Sequence, residues 1–279
     1  MTWIFSLEIS DKDFSETTEF ISKRLAAPGT GPFHVMTVNA EIAGKVLRDP
    51  QLKHLANEAD LLTPDGAGIL VASKLAGTPL KERVTGYDLL WSLLKANKGK
   101  PMRVFLLGSR ERTVHSAASK LAAGFPEFSF AYHHGYFSEE EEDGIVRRIN
   151  DFAPDLLFVG MGFPSQDAFI HAYKPRLNAK VVMGVGGSFD VISGNEKRAP
   201  LFFQKTGLEW AYRILVNPLR IKKTLHLFSF GWKVLTAAMQ KKRTVPVIPW
   251  KILFHRWESE LFKANARKIH EKTVERSSQ

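Results

Sequence analysis

Between residues 33 and 185 the chain alternates short, unbroken apolar runs with stretches whose apolar residues recur every three or four positions. The first kind suits strands buried on both faces, and the second suits amphipathic helices. Phe33–Val38 (FHVMTV) reads as a strand followed by a helix over Glu41–Arg48, and Asp60–Thr63 as a short strand before a helix over Ala67–Leu75. Thr85 is placed to cap a helix from Gly86 to Ala96. Arg103–Leu107 predicts a strand and Thr113–Ala123 a helix; Phe128–Tyr132 predicts a strand and Ser138 a helix start. Glu139–Glu142 then lie at the positive end of that helix dipole. Leu156–Met161 and Val181–Val185 complete the strands. Repeated strand–helix units predict an α/β fold: a mostly parallel sheet with helices on both faces.

Near Pro200 the pattern changes. The β signals end, and the chain reads as helices broken by Pro218, Pro246 and Pro249. Residues 208–240 mix Trp210, Tyr212, Phe228, Phe230 and Trp232 with Arg213, Arg220, Lys222, Lys223 and Lys233, and 250–262 repeat the mixture. Charge divides at the same place. Residues 200–279 hold 16 Lys+Arg and 5 acids (+11), whereas residues 1–199 hold 23 and 24 (−1), which together make the net +10. A near-neutral body thus carries a basic, aromatic, helical appendage suited to phosphates, at an anionic membrane surface or on nucleic acid; the aromatic content favours the membrane. The expected organisation is an α/β body over 1–199, with halves at about 1–100 and 101–199, and an appendage over 200–279.

Exclusions narrow the chemistry. The chain has no cysteine, so disulfides, thiol nucleophiles and Cys-ligated zinc are out. Residues 1–13 lack the basic start and apolar run of a signal peptide, and no window has the eighteen apolar residues of a membrane span. A cytoplasmic protein, peripheral to the membrane, is expected. His133 and His134 are adjacent, which on a strand points them to opposite faces, and Asp11-Lys12-Asp13 is read as solvated surface before the first strand. No metal site is expected.

In a parallel sheet, ligands bind beyond the carboxyl ends of the strands. The loops at that edge are Thr37–Asn39, Thr63–Gly68 (TPDGAG), Gly108-Ser109, Gly160–Gln166 (GMGFPSQ) and Gly184–Asp190 (GVGGSFD). Glycine lets a backbone approach a diphosphate closely. The GVGG run is half of a dinucleotide fingerprint, but the full G-x-G-x-x-G with a following acid is absent, as is the P-loop pattern. Asp65 opens a helix at this edge, where a carboxylate serves either as a general base or as a helix cap. A non-enzymatic membrane or nucleic-acid module would leave Asp65 and the glycine loops without a role.

These loops resemble the WecB/TagA/CpsF glycosyltransferase family. The matching stretches are TVN (37–39), TPDGAG (63–68), ERVTG (82–86), GMGFPSQ (160–166), the run from Gly184 to the KRAP ending at Pro200, GLEWAYR (207–213) and NPLR (217–220). The resemblance spans about residues 33–223 in the family's order. It implies a Rossmann-like body and an inverting, metal-independent transfer of N-acetylmannosamine, its uronic acid or another hexose from UDP to a polyprenyl-diphosphate-linked sugar. UDP-sugar is then a substrate and no cofactor is implied. Asp65 matches the family's proposed base, and Thr37, Asn39, Arg83 and Gln166 match its polar pocket positions. Gly108, Ser109, Gly160, Gly162, Gly184, Gly186, Gly187 and Asp190 would hold UDP, loop amides facing phosphate. Arg213 and Arg220 would stabilise the leaving diphosphate beside an anionic membrane. No nucleic acid is implied, and family members self-associate when the appendage leaves the membrane. Lys222-Lys223 follow NPLR where the family often has arginine.

Overall fold

The computed structural model describes residues 2–4, 7–27, 31–205 and 209–216. One eight-stranded sheet organises them. Its strands are β1 (Thr2–Ile4), β2 (Leu7–Ile9), β3 (Phe33–Val38), β4 (Leu61–Pro64), β5 (Met102–Gly108), β6 (Phe128–His133), β7 (Leu156–Gly160) and β8 (Val181–Gly184). Their order is β1-β2-β4-β3-β8-β7-β5-β6, parallel throughout except for β1, which runs antiparallel to β2 at the edge. The α/β fold read from the alternation is therefore observed.

Strand alternation sorts the core onto two faces. Phe33, Val35, Val104, Leu106, Leu156, Phe158, Val181 and Met183 point to one face. There they meet α1 (Phe14–Ala26), α5 (Gly86–Ala96), α6 (Glu111–Gly124) and α9 (Ser188–Ser193). Met36, Val38, Phe105, Leu107, Leu157, Val159 and Val182 point to the other. That face is covered by α2 (Ala40–Val46), α3 (Pro50–Asn57), α4 (Ala67–Leu75), α7 (Glu139–Phe152) and α8 (Ser165–Tyr173). Because β3, β4, β7 and β8 are buried on both sides, their residues are nearly all apolar, which is why those runs were legible.

The amino terminus differs from its reading. Two strands precede Asp11-Lys12-Asp13, and Asp13 caps α1, accepting the Glu16 N–H at 2.8 Å while Glu16 returns a bond to the Asp13 amide. Both strands are only three residues long, too short for a periodic signal. The acidic run opens α7 as expected, but Glu142 turns inward, buried and bonded to the Tyr173 hydroxyl at 2.5 Å. His133 and His134 do not diverge: their ring centroids lie 4.4 Å apart, because β6 ends at His133 and alternation ends with it. Beyond Pro200, α10 (Leu201–Lys205) and α11 (Glu209–Val216) are helical, as read.

Candidate active site

All seven parallel strands present their carboxyl ends on one edge. The chain leaves β5 toward β6 on one side and leaves β7 toward β8 on the other, so the switch point at which a crevice is expected lies between β5 and β7. Such a divergence is where open α/β sheets bind ligands.

The crevice is walled by backbone. A β-carbon at Gly108, where φ is +139°, would overlap the Gly160 carbonyl of the adjacent strand. One at Gly160 would fall 2.7 Å from the Phe189 ring and 2.9 Å from the Gly186 carbonyl oxygen. Ser109 takes a left-handed φ of +56°, donates its amide to the Gly160 carbonyl at 3.0 Å and accepts from Gly135 at 2.9 Å. Its hydroxyl lies 3.4 Å from Asp190 Oδ1 on α9, which brings two residues read as nucleotide contacts together.

Gln166 ties two of these loops. Buried at the start of α8, its Oε1 accepts the Gly162 amide at 3.1 Å and the Gly186 amide at 2.9 Å. This corrects one expectation: the Gly186 N–H is not turned to phosphate but held by a side chain, since two half-buried amides meet one carbonyl oxygen able to accept both. Gln166 therefore shapes the loops from behind. A β-carbon at Gly184 would overlap the Gln166 amide, which explains glycine at the end of β8.

The other half of the edge is built from side chains at helix starts. Asn39 caps α2, its Oδ1 accepting the Ile42 amide at 2.9 Å. Asp65 follows β4, half-buried, its amide bonded to the Val38 carbonyl at 2.8 Å, so the loop is pinned beside Asn39. The cap of α4 is Gly66, at φ +98°, and not Asp65, which stands one residue earlier. The positive φ suits glycine, and nothing lies within 4 Å of where its β-carbon would be.

Residues 82–86 fold over this loop: the Val84 amide donates to the Pro64 carbonyl at 2.7 Å. Thr85 caps α5 as read, accepting from the Asp88 amide at 3.2 Å. Gly86 then sits where the halves meet, its would-be β-carbon 3.4 Å from the Thr37 methyl and 3.7 Å from the Gly184 carbonyl. The loop also receives the chain beyond β8. Arg83 Nη1 donates to Glu209 on α11 at 2.7 Å, both side chains partly buried. Arg198 of the KRAP stretch donates to Asp88 at 2.6 Å and stacks over the Tyr87 ring at 4.7 Å. Burial opposes ionisation of Asp88, yet the hydrogen bonds from Arg198 and Thr85 and the charges of Arg198 and Arg83 prevail, holding its carboxyl below the usual range.

The structure thus gathers Thr37, Asn39, Asp65, Arg83, Gly108, Ser109, Gly160, Gly162, Gln166, Gly184, Gly186, Gly187 and Asp190 at one edge. Arg213 lies on α11, whose first residue Arg83 holds; Arg220 and the aromatic-basic segments beyond it lie outside the described residues. Sequence reasoning missed Gly135, which packs against Gly108 and Ser109, and Arg198, which anchors the KRAP stretch. A glycine two residues past a strand was the signal for the first; the second depends on a partner 110 residues away. Among the described residues no group of three metal-ligating side chains occurs, and no helix is long and apolar enough to cross a membrane.

Residues 2–244 match the family described as "Glycosyl transferase WecG/TagA/CpsF family". A relative from Bacillus spizizenii strain W23 is 37% identical over 241 residues, 84% of this chain and 91% of its own length. Another, from Staphylococcus aureus strain NCTC 8325, is 36% identical over 242 residues, 85% of this chain and 95% of its own. Both are named N-acetylglucosaminyldiphosphoundecaprenol N-acetyl-beta-D-mannosaminyltransferase. The chain belongs to the WecG/TagA/CpsF glycosyltransferase family.

Proposed function

We propose that this glycosyltransferase moves an N-acetylmannosaminyl unit from UDP to N-acetylglucosaminyl-diphosphoundecaprenol, with inversion and without a metal ion, in building the bacterial cell envelope. One observation carries the reading: relatives matched over more than nine-tenths of their length share a name that specifies this sugar and this acceptor.

In this reading the acceptor hydroxyl attacks the anomeric carbon as the bond from that carbon to the UDP oxygen breaks. Asp65 takes the hydroxyl proton, and UDP departs with the bonding electrons. The β4–α4 position of Asp65, pinned beside Asn39 and not itself the helix cap, supports a carboxylate presented to substrate. Thr37 and Asn39 flank the acceptor. The β5–β7 crevice, with Ser109 and Asp190, would receive the nucleotide. Charge on the leaving diphosphate is met by loop amides, Arg213 and Arg220 in place of a cation. The basic, aromatic segment 200–279 would hold the protein to the inner face of the membrane, where its lipid-linked acceptor lies.

The test is incubation of the full chain with a short-chain polyprenyl-diphosphate-N-acetylglucosamine, EDTA and a panel of UDP-sugars, reading UDP release with the mass of the lipid product. A product one N-acetylhexosamine heavier, from UDP-N-acetylmannosamine alone, is the predicted outcome. Transfer from another donor would move the sugar assignment, and transfer only when magnesium replaces EDTA would overturn metal independence. Absence of both transfer and UDP binding would remove the reading.

A further inference from the structure

Behind the glycine loops lies a polar pair that the reaction above does not use. The side chains of His34 on β3 and Asp167 on α8 are 1% and 0% exposed, and Nε2 and Oδ1 stand 3.4 Å apart. Neither that nitrogen nor either carboxylate oxygen has a hydrogen-bond partner among the described residues. A carboxylate buried with one distant partner is costly, and an apolar pair of equal size would pack without that cost.

Its position suggests what it serves. His34 shares the sheet face of Met36 and Val38, the face that α8 covers. Asp167 immediately follows Gln166 in the first turn of α8, where the helix dipole favours an acid. Pro164, at the cap of that helix, supplies no side-chain cap bond. The two side chains lie together across the end of β8: a β-carbon at Gly184 would overlap the Gln166 amide and stand 3.2 Å from Asp167 Oδ1. One thus grips the Gly162 and Gly186 amides while the other reaches the neighbouring strand.

We propose that His34 and Asp167 are positioning residues: their attraction sets the first turn of α8 on the sheet and so holds Gln166 Oε1 between the two glycine loops. The shape of the crevice offered to the donor then depends on a residue of β3, the strand that carries Thr37 and Asn39. The link to donor binding rests on the reading under Proposed function; the link to loop order does not.

The test uses the full chain with His34→Gln, the isosteric Asp167→Asn, and both together, and follows amide hydrogen exchange. Each single variant is expected to speed exchange at 160–166 and 184–190 at least tenfold while the β5 and β7 interiors stay protected. The double variant should match the singles, because the pair acts as a unit. In turnover, the KM for the donor should rise about tenfold with kcat within threefold, and Asp167→Glu should recover most of the loss. Unchanged loop exchange, or exchange raised uniformly over the whole sheet, would overturn the proposal. Loops loosened as predicted in a protein that transfers no sugar would uphold the positioning role and remove the transferase reading instead.

Discussion

The two halves of the strand-end edge are built by different means. Around β5, β7 and β8 the wall is backbone against backbone: Gly108 on Gly160, Gly160 on Gly186, with Gln166 bonding two loop amides from behind. Around β3 and β4 it is made of side chains at helix starts, with Asn39 capping α2, Thr85 capping α5 and Asp65 just before α4, and there is open space around Gly66. A backbone wall gives a fixed shape, which in the proposed reaction would receive the group that every donor shares. Side chains at caps give directional donors and acceptors, and one carboxylate, suited to aligning a hydroxyl. In the proposed reaction the edge would therefore divide into a rigid cradle and a chemical face.

Substitutions should separate the two. Gly108→Ala pushes a methyl into the Gly160 backbone and is expected to cost about 3 kcal/mol, lowering the melting temperature by about 6–12 °C. Gly66→Ala, with open space and only an unfavourable φ, should cost about 1–2 kcal/mol. Equal melting shifts would erase the distinction. Gln166→Ala orphans two loop amides and should cost about 2 kcal/mol in urea unfolding. Asn39→Ala removes a cap, worth about 1 kcal/mol by the same measurement, while leaving the crevice intact.

The smallest effect is one of pH. The Asp88 carboxyl lies below its usual value of 3.8, so the unfolded chain takes its proton first as pH falls. Its contribution is thus whole above about pH 4 and lost as pH drops through the lower folded value, releasing Arg198. The Asp88 side chain is 35% exposed, and solvent screens the effect. Acid titration followed by Tyr87 and Trp91 fluorescence should show a step below pH 4 that Asp88→Asn abolishes, while crevice amides keep their protection. Parallel loss of protection at both halves would break the comparison.

Much of this was legible in the sequence, for physical reasons that also set the limits. Phe33–Val38, Leu156–Gly160 and Val181–Gly184 are buried on both faces, so burial wrote them as apolar runs. Thr85 and Ser138 announced helix starts because caps use few residue types. The pair β1 and β2 was not legible, being too short to show a period. Asp65 could be placed at the edge but not parted from a cap role until Gly66 was seen to hold that position. Gln166 looked like a pocket residue, and its bond to Gly186, twenty residues on, belongs to the fold alone. The bridges Arg83–Glu209 and Arg198–Asp88 join segments over a hundred residues apart, beyond any local pattern.

The central claim is that Asp65 acts on chemistry and the crevice on binding. It is tested most directly by Asp65→Asn in the full chain, with turnover at saturating donor and acceptor measured beside UDP affinity. The account predicts a fall in kcat of about a thousandfold with the UDP dissociation constant within threefold of the parent. A variant retaining a tenth or more of the parent turnover, or one losing UDP affinity in step with it, would contradict it.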